Sequence, residues 1–173
     1  MELTVETGKG LPGANSYISL AEALKNLPSA YIAEWNGLTP DERVDRLAAA
    51  SLFIDTAFNW AGKQKTLEQG LSWPRTGVVF QGHAIDPDTV PRPLKRAVVA
   101  ALVIIKENGP GVFISTGRPQ VKREKMAVFE TEYFEPGLKA GYKSAYEDIN
   151  MLLKGLYAAP GKGGVISGDV IRV

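Results

Sequence analysis

Apolar positions crowd one stretch of this chain, Val90 to Asn108 (VPRPLKRAVVAALVIIKEN), which is hydrophobic on nearly every side for more than two turns. Leu94, Val98, Ala101 and Ile105 form one helical stripe, and Ala97, Val99, Leu102, Val103 and Ile104 widen it until little polar surface remains between Arg96 and Lys106. Pro91 and Pro93 fall at the entrance, where a missing N–H costs least, and Asn108-Gly109 offers a left-handed exit. A helix of this kind must be surrounded. The pattern therefore predicts a small helical bundle built around a central helix over about 91–108.

The elements around it are readable from periodicity and from stop signals. Thr39-Pro40-Asp41-Glu42 combines a hydroxyl cap, a proline at the first position and a reciprocal glutamate, so a second long helix runs from Pro40 to about Phe58. Its Val44, Leu47, Ser51, Ile54 and Phe58 face the central helix. Ser19 with Glu22 predicts a short helix ending near Leu27, where Pro28 prevents continuation; Tyr31, Ile32 and Trp35 follow as an apolar patch before a turn at Asn36-Gly37. A last helix from about Ser144 to Ala158 presents Tyr146, Ile149, Leu153 and Leu156 on one face.

Between these helices the pattern changes. Asn59 to Thr89 reads as a long irregular connection holding Trp60, Trp73-Pro74-Arg75-Thr76-Gly77 and Gln81-Gly82-His83. Val121 to Phe134 (VKREKMAVFETEYF) has β-type composition, and folding it at Met126-Ala127 sets Lys122, Arg123 and Lys125 across from Glu130, Glu132 and Glu135. That is one β-hairpin, over about 121–134. Residues 1–16 read as an extended Gly-rich arm with little to bury, and 159–173 as a tail that is disordered or completed by another chain. The expected organisation is one mainly α domain: arm 1–16, helical core with hairpin 17–158, docking tail 159–173.

Composition narrows the function classes. At 173 residues the chain can bury about two-thirds of its extended surface, and the absence of Cys excludes a thiol nucleophile and a cysteine metal cluster. Twenty basic against nineteen acidic residues, a net charge of +1, argue against a surface built wholly for nucleic acid, so any such contact is local. The start of the chain lacks a basic stretch followed by an apolar run, and the central helix is too short and too charged at its ends to span a bilayer, so a soluble intracellular protein with no membrane partner is expected.

Candidate chemistry is sparse. His83 is the sole histidine, in a polar Gly-rich loop beside Asp86 and Asp88, and a solvated loop residue explains it better than a hydrolase base. Gly8-Lys9-Gly10 and Gly161-Lys162-Gly163-Gly164 lack the spacing of phosphate loops. With no convergent nucleophile, base or ligand set, the expectation is a protein without catalytic activity or cofactor. Trp73 and Arg75 are candidates for anchoring the long loop or meeting a neighbouring subunit. Lys122, Arg123 and Lys125, interleaved with Phe129, Tyr133 and Phe134, combine the cations and stacking faces used on single-stranded nucleic acid, although the neighbouring glutamates oppose phosphate.

Taken in order, GLPGANSYISLAEA (Gly10 to Ala23), LSWPRTGV (Leu71 to Val78), VPRPLKRAVVAAL (Val90 to Leu102) and the 121–134 hairpin resemble a family of tailed-bacteriophage proteins often labelled DnaT-like single-stranded DNA-binding proteins, whose members are similar to head-to-tail adaptor or connector subunits. The family often has Gly or Pro at the hairpin turn, where this chain has Met126-Ala127. The resemblance implies a virion structural protein of the neck region, assembled in the host cytoplasm as a homo-oligomeric ring of commonly about twelve copies. Its implied partners are the portal protein, a downstream tail or neck protein and packaged double-stranded DNA, held without sequence preference. Lys122, Arg123 and Lys125 would then face the DNA channel, and Val165, Ile166, Val170, Ile171, Arg172 and Val173 would dock on the portal or a neighbour by adding a strand. The alternative takes the label literally: a DnaT-like replication accessory that binds single-stranded DNA.

Overall fold

The computed structural model describes residues 2–108, 120–125, 130–134 and 140–158, with side chains described for 2–105 and 146–158. Helix α4 (Arg92–Asn108) occupies the centre, and its most extensive contacts are with α3 (Pro40–Ala57) and α5 (Ala140–Leu153). Leu94, Ala97, Val98, Ala101, Leu102, Ile104 and Ile105 are all buried, as an all-round apolar helix requires. From α3 the core receives Leu47, Ala50, Phe53 and Ile54; from α5 and the turn after it come Ile149, Leu153 and Leu156. The architecture is mainly α with a small β-hairpin.

The helix starts follow local chemistry. Thr39 accepts from the Glu42 N–H at 3.3 Å while Glu42 accepts from the Thr39 N–H at 2.8 Å, a reciprocal cap that opens α3 with Pro40 at its first position. Ser19 and Glu22 do the same for α1 (Leu20–Asn26). The patch containing Tyr31, Ile32 and Trp35 is itself helical, α2 (Ser29–Gly37). Pro28 stands at its N-cap without a side-chain cap bond, so the sequence carries only a weak start signal there.

The last helix begins and ends earlier than its apolar periodicity suggests. It stops at Leu153 because Gly155 turns the chain at φ +101°, and Leu156 reaches the core from the turn rather than from the helix. Strands β5 (Gln120–Lys125) and β6 (Glu130–Phe134) form the antiparallel hairpin, pairing Arg123 with Glu132 and Lys125 with Glu130. Closure at Met126-Ala127 would have paired Arg123 with Glu130. The observed register of these two pairs is centred one residue later, and the expected turn at Met126-Ala127 lies outside the described residues.

The long connection is more ordered than its composition implies. Short strands β1 (Lys63–Gln64) and β2 (Arg75–Thr76) pair, as do β3 (Val79–Phe80) and β4 (His83–Ala84). Gln81 and Gly82 both take positive φ, 51° and 83°, which is the geometry of a two-residue hairpin turn. The N-terminal arm is extended as expected, but the expectation that it has little to bury is corrected. Ser16 is fully enclosed, Ala14 is buried, and Glu6 is 1% exposed.

Glu6 explains how a Gly-rich arm becomes rigid. Its carboxylate accepts the N–H groups of Gly8 (2.7 Å), Lys9 (2.7 Å), Gly10 (3.0 Å) and Leu11 (2.8 Å), so the turn wraps around its own anion. A β-carbon on Gly8 would stand 1.9 Å from the Asp88 carbonyl oxygen, so only glycine lets the arm close against the loop before α4. The Gly8-Lys9-Gly10 segment is thus an anion nest filled from within.

Candidate functional site

Asp55, on the last turn of α3, is the hub that fixes the long connection. Its carboxylate accepts from the Tyr17 hydroxyl, the Ser72 N–H (2.7 Å) and the Ser72 hydroxyl (3.2 Å). Tyr17 in turn accepts from the Trp73 N–H at 3.2 Å, and the Trp60 indole donates to the Asp55 carbonyl at 2.9 Å. Burial, and then the adjacent Asp55 charge, push the Tyr17 phenol well above its ordinary value, so it holds its proton and stays a donor.

Trp73 is fully buried and meets Trp60 edge-on, with ring centroids 5.9 Å apart. Arg75 donates to the carbonyls of Ala61 (2.6 Å), Gly62 (2.9 Å) and Ser72 (3.1 Å), stitching the start of the connection to its middle. Desolvation lowers its guanidinium from the usual value, partly offset by Tyr17 and Asp55. Both residues therefore anchor the loop from inside. His83 is exposed on β4; Asp86 accepts from the Asp88 N–H at 2.8 Å, and Asp88 pairs with Lys65, which draws its carboxyl below the ordinary range. Among the described residues no hydrogen bond joins His83 to either aspartate.

The open surface offers a groove of about 930 Å³ between α1, α4 and α5. Arg92 and Arg96 stand exposed one turn apart on α4, while Lys95 bridges to Glu22 of α1 at 2.9 Å. The Glu22 carboxyl lies below its ordinary value, first because it accepts the Ser19 N–H and then through Lys95. Past the arginines the lining turns aliphatic, with Val99, Ala100 and Val103 on α4 and Met151 and Leu152 on α5, where Met151 is 68% exposed and Asp148 adds a carboxylate. Sequence reading missed this groove because Val99 and Val103 look like more core. The signal was Arg92 and Arg96, placed on the same side as those valines.

The candidate site residues of the hairpin and tail are placed only in part. Lys122, Arg123 and Lys125 lie on β5, opposite a strand that carries Glu130 and Glu132, and their side chains are outside the described residues. Val165, Ile166, Val170, Ile171, Arg172 and Val173 are also outside them. Among the described residues no helix is long and apolar enough to cross a membrane, and among those with described side chains no aromatic residue is exposed.

A helical bundle with a charged groove and a small β-hairpin defines a class of small domains that carry surfaces. Comparison with known families then makes the assignment: the chain belongs to the family described as "Putative DnaT-like ssDNA binding protein", whose model matches residues 1–173. No curated protein and no solved structure matches it. The family description says nothing of a phage head or tail, and it favours the single-stranded-DNA alternative over the head-to-tail adaptor.

Proposed function

We propose that this protein binds single-stranded DNA without sequence preference, through the hairpin formed by β5 and β6. The family description is the observation that carries this reading. The residue pattern supports it: Lys122, Arg123 and Lys125 fall within four positions of a strand whose hairpin also contains Phe129, Tyr133 and Phe134, so cations and stacking faces share one ribbon. Glu130 and Glu132 stand in register with Lys125 and Arg123 and keep the net charge of the ribbon low, so affinity should be modest and strongly dependent on salt. Replacing Lys122, Arg123 and Lys125 with Gln removes up to three phosphate contacts. For the full chain and a labelled oligothymidine followed by fluorescence anisotropy, the slope of log K against log[salt] should become shallower by about 2, at roughly 0.7 per phosphate on a single strand. An unchanged affinity and slope would remove the hairpin from the interface.

A second reading, the head-to-tail adaptor, is favoured by a different observation. The aromatics among residues 2–105 and 146–158 are buried or half-buried, while the open groove couples Arg92 and Arg96 to an aliphatic half, which suits protein contacts better than base stacking. On this reading the protein is a virion neck component. Copies form a ring on the portal, the tail 159–173 docks there or on a neighbour, a tail or neck protein binds below, and hairpin lysines contact duplex DNA in the channel. Mass spectrometry of purified particles decides between the two: an adaptor is recovered at stoichiometric level from virions, and a replication accessory is absent from them.

A further inference from the structure

We infer that the groove between α1, α4 and α5 receives the outer face of α3 from a second copy of this chain. The two surfaces carry matched patterns. On α4 the groove side reads Arg92, Arg96, Ala100, Val103, two cations followed by an aliphatic stretch. On α3 the outer side reads Asp41, Asp45, Ala49, Leu52, two carboxylates followed by an aliphatic stretch at the same spacing of four, four and three residues. Each stretch spans about 16 Å at 1.5 Å per residue, so the helices can lie side by side in parallel. Asp41 then meets Arg92, Asp45 meets Arg96, and Leu52 enters the aliphatic half beside Val103 and Met151.

The components are free to do this. Asp41, Asp45, Arg92 and Arg96 are exposed and form no ion pair among the described residues. Leu52, 58% exposed, is an apolar side chain left largely uncovered among the described residues. Within the groove Lys95 is already matched by Glu22, which leaves two cations against Asp148; the α3 face offers Asp41 and Asp45, with Glu42 engaged in its cap and Arg46 paired to Glu34. The charges therefore attract. Because groove and α3 face are different surfaces, every copy keeps one of each unused, so the contact is head-to-tail and continues into a ring or a filament. The contact goes beyond the single-stranded-DNA reading and deepens the adaptor reading, on whose ring it rests, by naming the two surfaces that meet; reversals that leave an oligomer intact would remove these surfaces without removing the ring.

Sedimentation velocity on the full chain at tens of micromolar tests it. The wild type should sediment as an oligomer that weakens as salt rises, and R92E/R96E or D41R/D45R should each shift it to monomer. Mixing those two variants should restore an oligomer, since an acidic groove then meets a basic α3 and the remaining pair is native. L52D should also give monomer while its circular dichroism melt stays close to wild type, which separates lost association from lost folding. A wild type that stays monomeric, or reversals that leave the oligomer unchanged, overturns the inference. So does a mixture that remains monomeric.

Discussion

Asp55→Ala is the substitution whose cost can be worked most directly from the geometry. It removes the acceptor for the Tyr17 hydroxyl and for the Ser72 N–H and hydroxyl, at the point where the N-terminal arm, α3 and the long connection meet. Tyr17 is 0% exposed, so water cannot readily replace the lost partner. A buried donor left unpaired costs about 1–3 kcal/mol; Tyr17 Oη–H is stranded outright and the half-buried Ser72 N–H only in part, so the expected loss is about 2–5 kcal/mol, short of two full penalties. A cycle with Tyr17→Phe sharpens the test. Removing the hydroxyl in the Asp55→Ala background takes away one stranded donor, so the double variant should lose less than the sum of the singles, with a coupling of about 1–3 kcal/mol. Urea unfolding followed by tryptophan fluorescence reports both numbers, since Trp60 and Trp73 flank the hub. A loss below about 0.5 kcal/mol, the range of ordinary surface substitutions, would refute the argument that this hub holds the connection.

Two further expectations concern the arm and pH. Glu6→Gln keeps one acceptor oxygen but turns an NH₂ toward an N–H group and removes the charge, so it should cost about 1.5–3 kcal/mol, with faster hydrogen exchange at Gly8 and Gly10; unchanged exchange there would show that the nest does not hold the arm. Glu22, Glu42 and Asp88 have folded values below their ordinary 4.5, 4.5 and 3.8. Their stabilisation is fully present above those ordinary values and is lost as pH falls through the lower folded ones, so the melting temperature should be flat above about pH 5 and drop below about pH 4. Tyr17 sets the alkaline limit with the opposite sign: its contribution is complete below the ordinary 10.0 and lost as pH rises beyond it, so Tyr17→Phe should soften the alkaline fall in melting temperature.

Much of the fold was legible because local signals agree with the global packing. The caps at Ser19 and Thr39 act over three residues, and the all-round apolarity of 91–108 leaves only a central position for that helix. For Trp73 residue type alone favoured packing, whereas for Arg75 it left open a loop anchor or a subunit contact. The failures share a cause, since each depends on a partner far away in sequence. Glu6 looks like an ordinary surface acid until four N–H groups converge on it, and the core role of Tyr17 rests on Asp55 thirty-eight positions later. The groove is a case of the same kind, because the exposed edge of α4 is defined by where α1 and α5 end. The hairpin register was not legible because Met126-Ala127 offers no Gly, Asn or Asp to mark a turn in the sequence.

Titration of the full chain against a labelled oligothymidine and against a duplex of equal length, over a series of salt concentrations, tests the central claim most directly. Single-strand binding tighter than duplex binding, weakening steeply as salt rises, is the expected result. Equal or tighter binding to the duplex, or no binding to the single strand even at low salt, would contradict it.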